Sequence, residues 1–228
     1  MFYNIDNILK SELRKEPWEH KVVDNSINPE VFKTLSLIPK MILNKNRRGT
    51  PLMSKFIHES KVDSEGAVMD LEELLRVGLA DNMVELLYDC GKSLFDAKDQ
   101  ILEQFSSHQK SSDGEYLFDV NLQFLFPGNG VVMHDETYNK TLSCITYLSP
   151  DVQQGTRLYK EVNPTEVEWK KNRSIIFAPH KGVTWTSYEN PYEMQSFRFV
   201  ISTFVEFVEY KNIEFSNGKK FKFLTGSK

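Results

Sequence analysis

With two cysteines in 228 residues, the sequence has no material for a disulfide framework. Cys90 and Cys144 fall at apolar positions of separate segments and read as small buried hydrophobes in a reducing compartment. No apolar run approaches the length of a bilayer span, and the first residues lack a signal-peptide core, so a cytoplasmic location is expected. There is no basic block, and the formal net charge is −4. Sequence-independent nucleic-acid binding needs clustered Lys and Arg, so no nucleic-acid partner is expected. Internal repeats and low-complexity tracts are also missing, which excludes solenoids. What remains is 40% hydrophobic and 26% charged, a balance that favours a packed core over disorder.

That composition and length fit a single domain over residues 1–228: mainly β with a helical flank, of the α+β class. Residues 1–113 read as mostly helical, 114–208 as a β-rich core, and 209–228 as a C-terminal edge segment. Near the start, Lys21-Val22-Val23 is a short strand held between Pro17 and Asp24-Asn25. Asn28-Pro29-Glu30 begins a helix, with a cap residue, a proline at the first helical position and an acid in the first turn. Residues 44–49 are basic and turn-rich, the pattern of a solvated loop. Asp70-Leu71-Glu72-Glu73 is a capping-box start, and Asp81 is expected to cap the next helix. There Met83, Leu87, Cys90, Leu94, Ala97 and Ile101 recur at steps of four and three, which is one helix face. That face either covers a sheet or pairs with a second copy, leaving a homodimer open.

From residue 115 the periodicity changes to two. Strands are expected near 116–126, 130–135, 141–149, 155–161, 165–169, 173–178, 183–188 and 196–208, with turn residues between them. Eight short antiparallel strands fit a double-sheet jelly roll, an architecture without long open edges. The tail, with Asn217-Gly218 between apolar residues, reads as an edge hairpin. Within this region lies Met133-His134-Asp135-Glu136. Strand alternation puts His134 and Glu136 on one face and turns Asp135 away. An imidazole and a carboxylate so placed are two of the three ligands of a facial iron site.

The stretch from His134 through Lys140-Thr141-Leu142 to Tyr147-Leu148-Ser149-Pro150 resembles the Fe(II)/2-oxoglutarate-dependent oxygenases, most closely their prolyl-hydroxylase-like branch. Gly155-Thr156-Arg157-Leu158-Tyr159, Asn172-Arg173-Ser174-Ile175-Ile176-Phe177 and Phe197-Arg198-Phe199-Val200-Ile201 resemble successive strands of that branch. Pro17-Trp18-Glu19-His20-Lys21-Val22-Val23-Asp24-Asn25 resembles its entry strand. The resemblance implies a double-stranded β-helix, a cupin-like jelly roll with supporting N-terminal helices. It implies Fe(II) and 2-oxoglutarate as cofactors, with His134 and Glu136 on the metal. Arg198 would hold the far carboxylate of 2-oxoglutarate, with Tyr147 and Lys140 as further contacts.

The pattern departs from the family at one place. Where the branch carries its second metal histidine, Thr184-Trp185-Thr186-Ser187-Tyr188 has Thr186. A threonine hydroxyl is a poor neutral ligand for Fe(II). His180, in the turn six residues earlier, is either an exposed turn residue or a substitute ligand. Two functions therefore compete: a hydroxylase of a peptide or small molecule with a weakened metal site, and a non-catalytic jelly-roll binding module descended from such an enzyme. A cupin-type isomerase or metal-binding protein sharing the barrel is a third reading, and it would leave Arg198 without an anion.

Overall fold

The computed structural model describes residues 2–43, 67–106, 114–128, 130–135, 139–149, 155–189 and 197–209. The eight expected strands are all present, their ends displaced by at most two residues: β4 (Gly114–Leu125), β5 (Gly130–Asp135), β6 (Lys140–Ser149), β7 (Thr156–Lys160), β8 (Asn163–Val167), β9 (Arg173–Phe177), β10 (Trp185–Glu189) and β11 (Arg198–Glu209). Three further strands precede them: β1 (Leu13–Arg14), β2 (His20–Asp24) and β3 (Ala67–Asp70). All pairings are antiparallel. One sheet runs β1-β2-β9-β6-β11-β4-β3, and a second runs β5-β10-β7-β8.

The eight core strands thus divide four and four, which is the jelly roll expected from the alternation. The first hundred residues are less helical than their pattern suggests. They supply β1, β2 and β3, which extend both edges of the larger sheet. Strands of two and four residues are too short for period-two patterning to reveal. Short edge strands also leave little free backbone for another chain to pair with.

Six helices are described: α1 (Ile5–Lys10), α2 (Pro29–Leu35), α3 (Ile38–Leu43), α4 (Leu71–Val77), α5 (Asp81–Asp96) and α6 (Lys98–Leu102). Asn28 caps α2 by accepting from Glu30 N, with Pro29 at its first position. Asp70 and Glu73 make the reciprocal capping box of α4. Asp81, expected as a cap, is instead the first residue of α5; Ala80 holds the cap position with no side-chain bond. The apolar face foreseen through Ile101 is broken at Ala97, where α5 ends and α6 begins. No helix among the described residues is long and apolar enough to cross a membrane.

The seven-stranded sheet has two unlike faces. On one, Phe118, Val120, Leu122 and Phe124 of β4 are buried under the helices. Gly91 of α5 lies against Val120 and Phe118, so close that a Cβ there would collide with the valine. The same face carries the polar chain Tyr3–Thr146–Ser174–Ser26: the Tyr3 and Thr146 hydroxyls lie 2.9 Å apart, and Thr146–Ser174 and Ser174–Ser26 each 2.6 Å. Asn172 continues it by donating to Ile27 O and accepting from Ile27 N. The Lys21 ammonium donates to the carbonyls of Ile8, Leu9 and Ser11, closing the C-terminal end of α1. Its pKa is lowered by burial. The opposite face looks into the barrel.

Candidate functional site

The inner face is identified by contacts between the sheets. On β6, Cys144 and Thr146 meet Tyr3 on the helix side, so Ser143, Ile145 and Tyr147 point the other way. The Tyr147 hydroxyl lies 2.7 Å from Thr156 Oγ1 and accepts from Thr156 N at 3.1 Å, across to the smaller sheet. Gln123 of β4 likewise accepts from the hydroxyl of Tyr188 on β10. The rows of the larger sheet's inner face follow from its register. Ser143, Phe204 and Asp119 form one row, Ile145, Ser202 and Asn121 the next, Tyr147, Val200 and Gln123 a third, with Arg198 and Leu125 beyond.

Arg198 begins β11 and is 0% exposed. Its Nε and both terminal nitrogens are buried without a hydrogen-bond partner among the described residues. Its guanidinium carbon lies 5.0 Å from the centre of the Trp169 ring, and Trp169 stacks on Tyr147 at 4.2 Å, with 11° between their planes. Burial lowers the Arg198 pKa to about 10, against the opposing influence of Tyr147, Tyr188, Glu166 and Glu189. The group is therefore charged at neutral pH. Burial pushes the Tyr147 phenol up to about 12, so it stays protonated. A buried guanidinium with no acceptor is costly, and a carboxylate matches its fork in bidentate fashion. Trp169 adds an aromatic lid that sequence reasoning missed: a single indole between charged residues gives no periodic signal.

His134 sits on β5 and Thr186 on β10, and the two are direct cross-strand partners. Leu158 of β7 pairs with Thr186 from the other side. Leu158 shares its strand face with Thr156, which reaches Tyr147, so Thr186 and His134 also face inward. Thr186 is buried and His134 half-buried. His134 Nδ1 lies 2.9 Å from the carbonyl of Val132. A carbonyl only accepts, so Nδ1 carries the hydrogen and Nε2 keeps its lone pair. Asp135 is turned away, as alternation requires, and accepts from Gly182 N at 2.9 Å. Glu136 lies outside the described residues, as does the 217–218 turn of the tail. His180 exposes its side chain, while its carbonyl accepts from the amides of Val183 and Thr184 at 3.0 Å each. It is not on the inner face with His134.

Lys140 needs correction as a contact beside Arg198. It pairs with Glu206, eight residues along β11 from Arg198, which is roughly 26 Å of strand. Its Nζ stands 3.5 Å over the Phe204 ring, at the far end of the barrel. The structure thus brings together Arg198, Tyr147 and Trp169, sets His134 across from Thr186, and leaves Lys140 and His180 apart. Among the described residues, no three His, Cys, Asp or Glu side chains gather as a metal-binding group.

No protein-family profile matches this sequence, and no curated protein matches it. Solved structures do. A prolyl-4-hydroxylase from Pseudomonas putida superposes with a TM-score of 0.56 at 12% identity, over 89% of this chain and 96% of that one. A viral collagen prolyl hydroxylase from Paramecium bursaria Chlorella virus-1, solved in complex with 2-oxoglutarate, gives 0.51 at 12% identity over 83% and 96%. A Trichoplax adhaerens prolyl hydroxylase, in complex with a hypoxia-inducible-factor peptide fragment, gives 0.53 at 12% identity over 87% of each chain. At this identity the likeness concerns the fold: the chain has the double-stranded β-helix of 2-oxoglutarate-dependent oxygenases.

Proposed function

We propose that the protein binds 2-oxoglutarate inside the barrel and acts as an iron- and 2-oxoglutarate-dependent dioxygenase, hydroxylating a peptide or small molecule. The observation that carries this reading is the buried Arg198 guanidinium with three nitrogens and no acceptor among the described residues. Arg198 would take the far carboxylate of the dicarboxylic acid, and Tyr147, protonated and in the same wall, would be its neighbour. Trp169 keeps water from that end of the barrel by stacking on Tyr147 and covering the guanidinium. When bound together, iron and 2-oxoglutarate would activate molecular oxygen, the oxidant, for attack on a C–H bond, with 2-oxoglutarate oxidised to succinate and carbon dioxide. The chain's own work is to hold the dicarboxylate, orient it and exclude solvent.

The described donors fit 2-oxoglutarate better than they fit iron. His134 offers one imidazole, with the Nε2 lone pair free of its Nδ1 hydrogen bond. The partner directly across the ladder is the hydroxyl of Thr186. With Glu136 that would be a weak set, since such sites depend on ligand number and geometry. The pairing of Thr186 with His134 therefore favours a second reading, a non-catalytic module that keeps the dicarboxylate pocket.

Anaerobic addition of Fe(II) and 2-oxoglutarate to the purified protein decides between them. A visible charge-transfer band that disappears in His134→Ala is the expected result for the enzyme. A band seen only after Thr186→His identifies the binding module. No band in either protein, with no stabilisation by 2-oxoglutarate, removes both readings.

A further inference from the structure

A second group of buried polar atoms without partners lies at the opposite end of the barrel from Arg198. Ser143 is on the inner face of β6, four residues from Tyr147, and pairs across the ladder with Phe177 of β9. β2 runs beside β9 with Lys21 opposite Ile176, so the register carries His20 to the level of Phe177. Lys21 reaches the helix side, which turns His20 to the other face. The ring of Trp18, in the loop just before β2, lies 5.0 Å from that of Phe177 and 5.4 Å from that of His20. Trp18 Nε1, His20 Nε2 and Ser143 Oγ are all buried, and none has a hydrogen-bond partner among the described residues. Three such atoms around one phenylalanine are expensive to leave unfilled.

Their chemistry specifies an occupant. The indole N–H of Trp18 can only donate. His20 Nδ1 lies 2.9 Å from the Trp18 carbonyl, so it carries the ring hydrogen, and Nε2 of the neutral imidazole can only accept. The Ser143 hydroxyl does either. A carboxylate has no hydrogen to give His20, and an ammonium has no lone pair for Trp18. An amide supplies both an N–H and a C=O, and its flat face suits the aromatic wall of Trp18 and Phe177. Trp18 is 6% exposed and His20 1%, so Trp18 is the more open of the two rings.

We infer that Trp18, His20 and Ser143 form a recognition subsite for an amide-bearing substrate, at the end of the barrel away from Arg198. Calling the amide a substrate rests on the reading of Arg198 as the cosubstrate anchor; the subsite itself rests on its own atoms. The barrel then takes two ligands at once, an anion at one end and a neutral donor–acceptor group at the other, with the His134–Thr186 pair between them.

The test is an NMR titration of the full chain, following the indole N–H signals of its three tryptophans, with the Trp18 signal assigned by its loss in Trp18→Phe. The probe is N-methylacetamide; acetate and methylammonium are the charged controls. The amide is expected to move the Trp18 signal saturably, and the controls to leave it in place. Ser143→Ala and His20→Leu should each weaken the amide response about tenfold. Should His20→Leu fold poorly, Ser143→Ala, which removes only an unpartnered hydroxyl, carries the test. A Trp18 signal indifferent to the amide, equally sensitive to acetate, or unaltered in both variants overturns the subsite. Stabilisation by 2-oxoglutarate is measured on the same samples. If the parent lacks it while the amide response holds, the cosubstrate reading falls and the subsite stands. If His20→Leu loses the amide response and keeps the 2-oxoglutarate response, the two ends are independent, as inferred.

Discussion

The helix side and the barrel side of the seven-stranded sheet are made by the same strands, yet they treat polar groups in opposite ways. On the helix side, Tyr3, Thr146, Ser174 and Ser26 pass hydrogen bonds along a closed chain, and Lys21 spends its three donors on three carbonyls. Seven described residues hold a buried side-chain polar atom without a partner, and five of them (Trp18, His20, Ser143, Trp169 and Arg198) lie on the barrel side. Natural interiors satisfy nearly all such atoms. Thr203, level with Cys144, is the exception on the helix side. A face that satisfies most of its polar groups internally is built for stability, and a face that leaves more of them open is built for something that arrives later.

Substitutions that separate the faces should separate stability from binding. The largest loss is expected on the helix side. Lys21→Met leaves three carbonyls without their donor and should cost about 3 kcal/mol, read from urea denaturation. On the barrel side, Arg198→Met removes an unpaired buried charge, so the ligand-free variant should be at least as stable as the parent. Its loss should show only with ligand: 2-oxoglutarate at a hundred times its Kd should add about 2.7 kcal/mol to the parent and nothing to the variant, by thermal melting. A destabilised ligand-free Arg198→Met would break the contrast.

One substitution type can then be placed on both faces. Ser174→Ala interrupts the chain between Thr146 and Ser26 and should cost about 1–2 kcal/mol. Ser143→Ala, on the neighbouring strand, should stay within about 0.5 kcal/mol of the parent. Equal costs in chemical denaturation would mean that Ser143 has a structural partner after all. The smallest effect concerns pH. Burial lowers the His20 pKa below the usual histidine value. As pH falls below about 6.5 the unfolded chain takes up this proton before the folded one does. Stability should therefore be level above that pH and decline below it until the lowered folded pKa is passed. The decline should shrink in His20→Leu, measured as the denaturation midpoint across pH.

The sequence made some of this legible because some of it is local. Alternation along 141–149 and 196–208 marks strands with an inner and an outer face, and Asn28 and Asp70 announce their helices through side chains that reach only two or three residues. Arg198 was visible as a charge inside an apolar run, and the structure buries it. Lys140 was misplaced because spacing along β6 gives no information about which end of the barrel a residue occupies; that depends on its pairing with Glu206. Trp18 and His20 were legible only as part of an entry strand, and Ser143 gave no signal at all. Each is an ordinary residue for its position, and only the register of β2, β9 and β6 makes them neighbours.

The same register has a consequence in time. Tyr3, Asp24 and Ser26 find their partners in Thr146, Arg173 and Ser174, between 143 and 149 residues further along the chain. A ribosome adding about 5–20 residues per second makes those partners roughly 7–30 s after Tyr3, Asp24 and Ser26 themselves. Throughout that interval β2 has only the two-residue β1 beside it, and the Tyr3 ring has no sheet to pack against. The β1–β2 segment, which closes one edge of the larger sheet, is translated before the strand it must dock on. Folding of the nascent chain thus depends on keeping its beginning unattached until its second half arrives.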